Sequence, residues 1–96
     1  MTIDIDRQEN SLTVKPCGRL NSATGPELAE ALDTNFTDDV QQMTIDFSEV
    51  DFISSFGIRI IISTYKKLNG RKMSITGANP SVLEVFRLTG LLDVLK

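Results

Sequence analysis

Two adjacent hydroxyls, Ser54 and Ser55, stand between the apolar pair Phe52-Ile53 and a run carrying Ile58, Ile61 and Ile62, with a guanidinium at Arg59. A serine placed where a buried strand gives way to a helix lies at the positive end of the helix dipole, where unpaired backbone N–H groups hold a phosphate well. Arg59 follows Ser55 by one helical turn, so its guanidinium can pair with an anion carried there. The plainer reading of the same pair is an N-cap, a position where serine is strongly preferred, and Ser54 or Ser55 fills it in either case. Nucleophilic chemistry fits poorly. A catalytic serine needs an activating base, and the chain has no histidine. It is expected to be no enzyme, with no catalytic residues.

Other chemistry is similarly thin. Cys17 is the single cysteine, which permits no internal disulfide and no zinc-binding thiol cluster, and it reads as a small buried hydrophobe. Asp46, Glu49 and Asp51 cross a strand end and a loop without a ligand motif, so they read as solvated charges and no metal is expected. No Gly-x-x-x-x-Gly-Lys loop is present, and no cofactor is expected; ATP, if involved, belongs to a partner. Lys66, Lys67, Arg71 and Lys72 form the one basic cluster, and helix C-terminal chemistry accounts for it.

The elements that position these residues must fit in 96 residues, 41% hydrophobic and 24% charged, with 6 Gly and 3 Pro. That is one globular domain, residues 1–96, with a packed core. A net charge of -3 argues against nucleic acid or an anionic membrane as the main partner. The N-terminus has no basic region leading into an apolar core, and no apolar run approaches the roughly 18 residues of a membrane span. A cytoplasmic protein whose partner is a protein or a small molecule is expected.

Alternation of Ile3 and Ile5 with Asp4 and Asp6, a turn at Glu9-Asn10, and a second alternation through Leu12 and Val14 predict a β-hairpin. Helix one starts between Asn21 and Pro26, where Thr24-Gly-Pro-Glu27 has capping-box spacing, and runs through Leu28, Ala31, Leu32 and Phe36. A strand follows over residues 42–47 through Met43, Ile45 and Phe47. Residues 48–51 read as a polar interruption around Val50, after which Phe52-Ile53 returns to the core. Helix two then buries Ile58, Ile61, Ile62, Tyr65 and Leu68, leaves Ile60 and Thr64 outward, and stops at Gly70. Gly57 permits close backbone approach in its first turn, and Phe56 is either exposed for a partner or folded back under the loop. A strand at Lys72–Thr76 and a third helix, starting at Asn79-Pro80-Ser81 and carrying Val82, Val85, Phe86 and Thr89 on one face before Gly90, lead to a short apolar tail. The order β-β-α-β-α-β-α predicts an α/β fold with a mixed sheet of four to five strands, the first antiparallel and the later ones parallel, with helices packed on it.

The run Asp46-Phe-Ser-Glu-Val-Asp-Phe-Ile-Ser-Ser-Phe-Gly-Ile-Arg59 resembles the signature of STAS domains, of which bacterial anti-anti-sigma factors are the soluble single-domain form. Gly18-Arg-Leu-Asn21 is similar to the family's Gly-x-Leu-Asp before helix one, and Asn79-Pro-Ser81 through Leu88-Thr-Gly-Leu91 resembles its last block. The resemblance implies a STAS fold and an anti-sigma factor antagonist. Such a protein binds an anti-sigma serine kinase while unphosphorylated, is switched off when the kinase phosphorylates it, and is reset by a metal-dependent serine phosphatase. Mapped onto this chain, the phosphorylated serine is Ser55 and Ser54 takes the place of the motif aspartate. Asn21 replaces the aspartate of the first loop, and Phe56 replaces the second motif serine. The implied partner-binding surface comprises Asn21, Ser22 and Thr24 with Ser54, Ser55, Phe56, Gly57, Ile58, Arg59 and Ile62. Family members usually continue into another strand and a closing helix, so the shorter end implies a missing C-terminal helix and apolar surface for a partner or a second copy in a homodimer. The alternative within the same fold is an unphosphorylated interaction subunit of a phospholipid-transport ABC system.

Phosphorylation adds about 1.5 to 2 negative charges and three acceptor oxygens. At a helix N-terminus that charge is tolerated within its own chain, whereas a snug, desolvated contact with a partner cannot accommodate it. The expected result is a retained fold and a lost complex.

Overall fold

The computed structural model describes residues 1–88; the stop expected at Gly90, the place of Thr89 and the tail at residues 91–96 lie outside them. Alternating patterning produces the predicted hairpin: β1 (Thr2–Gln8) pairs antiparallel with β2 (Ser11–Leu20), Ile3 opposite Pro16 and Ile5 opposite Val14. Glu9 adopts a left-handed conformation, φ 56°, in the turn between them. At its other edge β2 meets two strands in succession. Its first half pairs parallel with β3 (Gln42–Asp46), Val14 opposite Ile45, and its second half with β4 (Val50–Ile53), Leu20 opposite Ile53. The fifth strand, β5 (Lys72–Thr76), pairs parallel with β3, giving the order β1-β2-β3-β5 with β4 beside β2. Among the described residues this is a mixed sheet of five strands, within the expected four to five, and β4 is the strand that the order β-β-α-β-α-β-α does not contain.

The short strand β4 replaces part of the expected polar interruption. Val50 and Ile53 are buried while Asp51 and Phe52 both face outward. The reason is a register shift: β4 advances from Val50 to Phe52 as β2 advances from Gly18 to Arg19, so Asp51 is an extra residue that turns its successor over. Phe52 therefore does not return to the core. It is 42% exposed, and the Arg19 guanidinium stacks on its ring, 4.9 Å from the centroid.

Among the described residues three helices cover the core: α1 (Gly25–Asn35), α2 (Ser55–Leu68) and α3 (Pro80–Leu88). Leu28 and Leu32 of α1, Ile58, Ile61 and Leu68 of α2, and Val82 and Phe86 of α3 join Leu12, Val14, Met43, Ile45 and Phe47 of the sheet side in one buried cluster. Spacing alone places Ile60 and Thr64 outward; the structure half-buries Ile60 and leaves Thr64 only 6% exposed. The cause is α1, which packs on that flank of α2 and widens the covered stripe. Burial of the Thr64 hydroxyl is tolerated because it donates to the Ile60 carbonyl at 2.9 Å. Cys17 is half-buried rather than a core residue. Among the described residues, no helix is long and apolar enough to cross a membrane.

Asn79 ties α3 to the short strand. Its Oδ1 accepts from the Val82 N–H at 2.9 Å as a helix cap, and its Nδ2 donates to the Val50 carbonyl at 3.2 Å. Above this tie the Phe86 and Phe47 rings pack with centroids 5.7 Å apart. Replacing Asn79 with Ala removes both bonds and is expected to cost about 1–2 kcal/mol, read as a lower midpoint in thermal unfolding followed by circular dichroism.

Candidate functional site

The two serines do different work. Ser54 has extended backbone (φ -96°, ψ 174°) and is the N-cap of α2, its Oγ accepting a long 3.5 Å bond from the Gly57 N–H. Its own N–H donates to the Leu20 carbonyl at 2.9 Å and its carbonyl accepts from Ile58 at 3.0 Å, so it closes strand, cap and first turn together. Ser55 is the first helical residue and is exposed. Its hydroxyl has no hydrogen-bond partner among the described residues, so a modifying enzyme can approach it without unmaking any part of the fold.

The first turn of α2 sits directly on the strand ends because Gly57 has no side chain. A Cβ there would lie 2.8 Å from Ile53 Cγ1 and 2.8 Å from Leu20 Cγ. Gly57 is buried and Ile58 is 5% exposed, so neither offers a side chain to a partner in this conformation; both act from beneath. Arg59 is exposed and makes no ion pair among the described residues. The first turn of α2 holds no acidic residue, so nothing on it opposes an anion at Ser55. Ile62 is half-buried against the core cluster.

Residues 21–24 form a closed turn beside this helix start. Asn21 Oδ1 accepts from the Ala23 and Thr24 N–H groups at 2.9 and 3.1 Å. The Thr24 hydroxyl accepts from the Asn21 N–H at 3.0 Å and donates to the Arg19 carbonyl at 2.5 Å. Thr24 is thus the N-cap residue of α1 by position, yet the capping box expected from Thr24-Gly-Pro-Glu27 does not form. The hydroxyl is committed to the turn, and the Glu27 carboxylate pairs with the Met1 amine at 3.3 Å. Ser22 is exposed at the turn's tip, and Asn21 and Thr24 are half-buried.

Phe56 resolves between its two sequence readings by folding inward. It is half-buried, with its ring over Gly25 at the start of α1: a Cβ on Gly25 would lie 2.5 Å from two ring carbons. Sequence reasoning does not single out Gly25. Its signal is its place, a glycine just before Pro26 in a first helical turn.

The remaining charged residues of the motif stand apart. Asp46 Oδ1 accepts from the Ser48 N–H at 2.9 Å, which holds its carboxyl below the usual carboxylate range. Glu49 and Asp51 are exposed, and no cluster among the described residues could hold a metal ion. An open depression of about 390 Å³ lies by Cys17, Ser48, Glu49, Asp51 and Asn79, and a cleft of about 160 Å³ separates α1 from α2 at Asp33 and Lys67. Neither includes Ser55. The hydroxyl stands on an open surface made of a neutral turn and a helix start, a shape suited to contact with another protein rather than to enclosing a small substrate.

A family model for the STAS domain matches residues 2–96. The chain is similar to the anti-sigma-B factor antagonist of Staphylococcus aureus, 28% identical over 97 residues that cover 99% of this chain and 90% of that protein. Among solved structures, the anti-sigma factor antagonist from Mycobacterium paratuberculosis aligns with a TM-score of 0.89 at 26% identity, over 98% of this chain and 81% of that one. The phosphorylated form of the Bacillus cell fate determinant SpoIIAA shares the fold at 16% identity, with a TM-score of 0.77 over 96% of this chain and 86% of its own.

Because Gly57 packs without a gap on Leu20 and Ile53, Gly57→Ala is expected to cost about 1–3 kcal/mol through overpacking. Urea unfolding should show a lower midpoint with an unchanged slope.

Proposed function

The chain belongs to the STAS domain family, and from that premise we propose that it is an anti-sigma factor antagonist that docks an anti-sigma serine kinase and is released when the kinase phosphorylates Ser55. The observation that carries this reading is the division of labour at the helix start: Ser54 is bonded into the fold while Ser55 is exposed beside it with an unengaged hydroxyl. The names of similar proteins support the antagonist role. The kinase meets the turn at Asn21, Ser22 and Thr24 together with Ser54, Ser55, Arg59 and Ile62, with the inward-folded Phe56 and with Gly57 and Ile58 shaping that surface from below.

Transfer of the γ-phosphoryl group from kinase-bound ATP forms the Ser55 Oγ–P bond and breaks the terminal phosphoanhydride, leaving ADP on the kinase; the hydroxyl proton passes to a base supplied by the kinase. The dianion then meets the free N–H groups of the first turn and the Arg59 guanidinium in its own chain. A snug, desolvated contact with the kinase cannot accommodate the added charge, which therefore expels the partner. A metal-dependent serine phosphatase restores the hydroxyl by hydrolysis. The metal belongs to that enzyme.

Incubation with a cognate anti-sigma kinase and ATP should add one phosphate to the wild type by intact mass and none to Ser55→Ala, with far-ultraviolet circular dichroism unchanged and kinase affinity lowered at least about tenfold by the phosphate. A wild type that takes no phosphate overturns the reading. Within the phosphorylated protein, Arg59→Ala is expected to raise the second phosphate pKa by about 0.2–0.4 unit, the equivalent of one exposed helical ion pair. Phosphorus NMR titration reads this, and an unchanged pKa removes Arg59 from the switch.

A further inference from the structure

The two halves of the proposed docking surface belong to different elements, and they are tied at two places. One tie is backbone, the Ser54 N–H to the Leu20 carbonyl at 2.9 Å. The other is the ring of Phe56, the residue directly after Ser55, seated over the bare backbone of Gly25. Gly25 in turn closes the neighbouring turn, its N–H donating to the Asn21 carbonyl at 2.7 Å. A Cβ at Gly25 would lie 2.5 Å from Phe56 Cδ2 and Cε2 and 2.9 Å from Ile60 Cδ1, so the contact exists only because residue 25 has no side chain.

We infer that Phe56 is a positioning residue: its ring, latched on Gly25, fixes residues 21–24 relative to Ser55, so that the kinase meets turn and hydroxyl as one surface. The inference rests on the proposed function. The ring touches neither ATP nor the reacting oxygen, and it acts through the turn it immobilises. A kinase that reads both halves must otherwise order the turn itself on binding, which weakens docking without changing the transfer step.

Gly25→Ala forces the ring off its seat while leaving every surface side chain of residues 21–24 in place. The expected result is a rise of about tenfold in the KM for Ser55 phosphorylation with kcat within about twofold, in a protein that still unfolds cooperatively. Phe56→Leu in the Gly25→Ala background makes room for the added methyl and should return KM most of the way to wild type. Independently of any kinase, hydrogen exchange at the Ala23 and Thr24 amides should quicken about tenfold in Gly25→Ala and slow again in the double variant. A folded Gly25→Ala protein with wild-type KM and wild-type exchange overturns the latch, as does a double variant no better than the single one. If the wild type takes no phosphate, the functional reading fails, and the exchange rates alone decide whether the latch holds the turn.

Discussion

The bare backbone of Gly57 lets the first turn of α2 rest on Leu20 and Ile53, and the rest of the site depends on that close approach. With the helix start pressed onto the ends of β2 and β4, Ser54 can bond across to Leu20 and still cap the helix. Ser55 then has one direction left, outward. A larger residue at position 57 would lift the turn, lengthen the already marginal 3.5 Å cap bond, and slide Phe56 away from α1. One missing side chain therefore sets the height of the hydroxyl, the cap and the ring at once.

The electrostatics of the site follow from what has been kept away from it. Acidic side chains of the flanking elements are committed elsewhere: Glu27 to the N-terminal amine, Asp33 to Lys67, Asp46 to the Ser48 amide. The first turn of α2 and the turn at residues 21–24 hold no acidic residue, and the helix carries Arg59 one turn after Ser55. In a chain of net charge -3, this is a local reversal of the average, and it suits a group that alternates between a neutral hydroxyl and a dianion.

Much of this was legible from residue order. Alternation in Ile3, Ile5, Leu12 and Val14 shows the hairpin, and the spacing of Ile58, Ile61 and Leu68 shows the core face of α2, because period-two and period-3.6 burial are local properties. The serine pair could be placed at a helix start for the same reason. The failures share a cause, which is neighbours distant in sequence. Thr64 is buried because α1 lies against it, Phe52 is exposed because a register shift at Asp51 turns it over, and Glu27 leaves the capping box because the Met1 amine pairs with it. None of these can be read from a helical wheel or a capping pattern. The seating of Phe56 on Gly25 belongs to the same class: each residue is ordinary alone, and the contact appears only when two helix starts are brought side by side.

The division of β2 between β3 and β4 has a consequence for the order in which the chain assembles. The β1-β2 hairpin joins neighbours across a short turn and can form by itself on a fast timescale, whereas Gly18, Arg19 and Leu20 must wait for Val50, Phe52 and Ile53, some thirty residues away. Both halves of the docking surface hang from that distant pairing, the turn from the end of β2 and the serines from the end of β4. A nascent or partly unfolded chain can thus own a complete hairpin and every residue of the motif and still present no surface to read. Recognition of this site is, in effect, recognition that folding has finished.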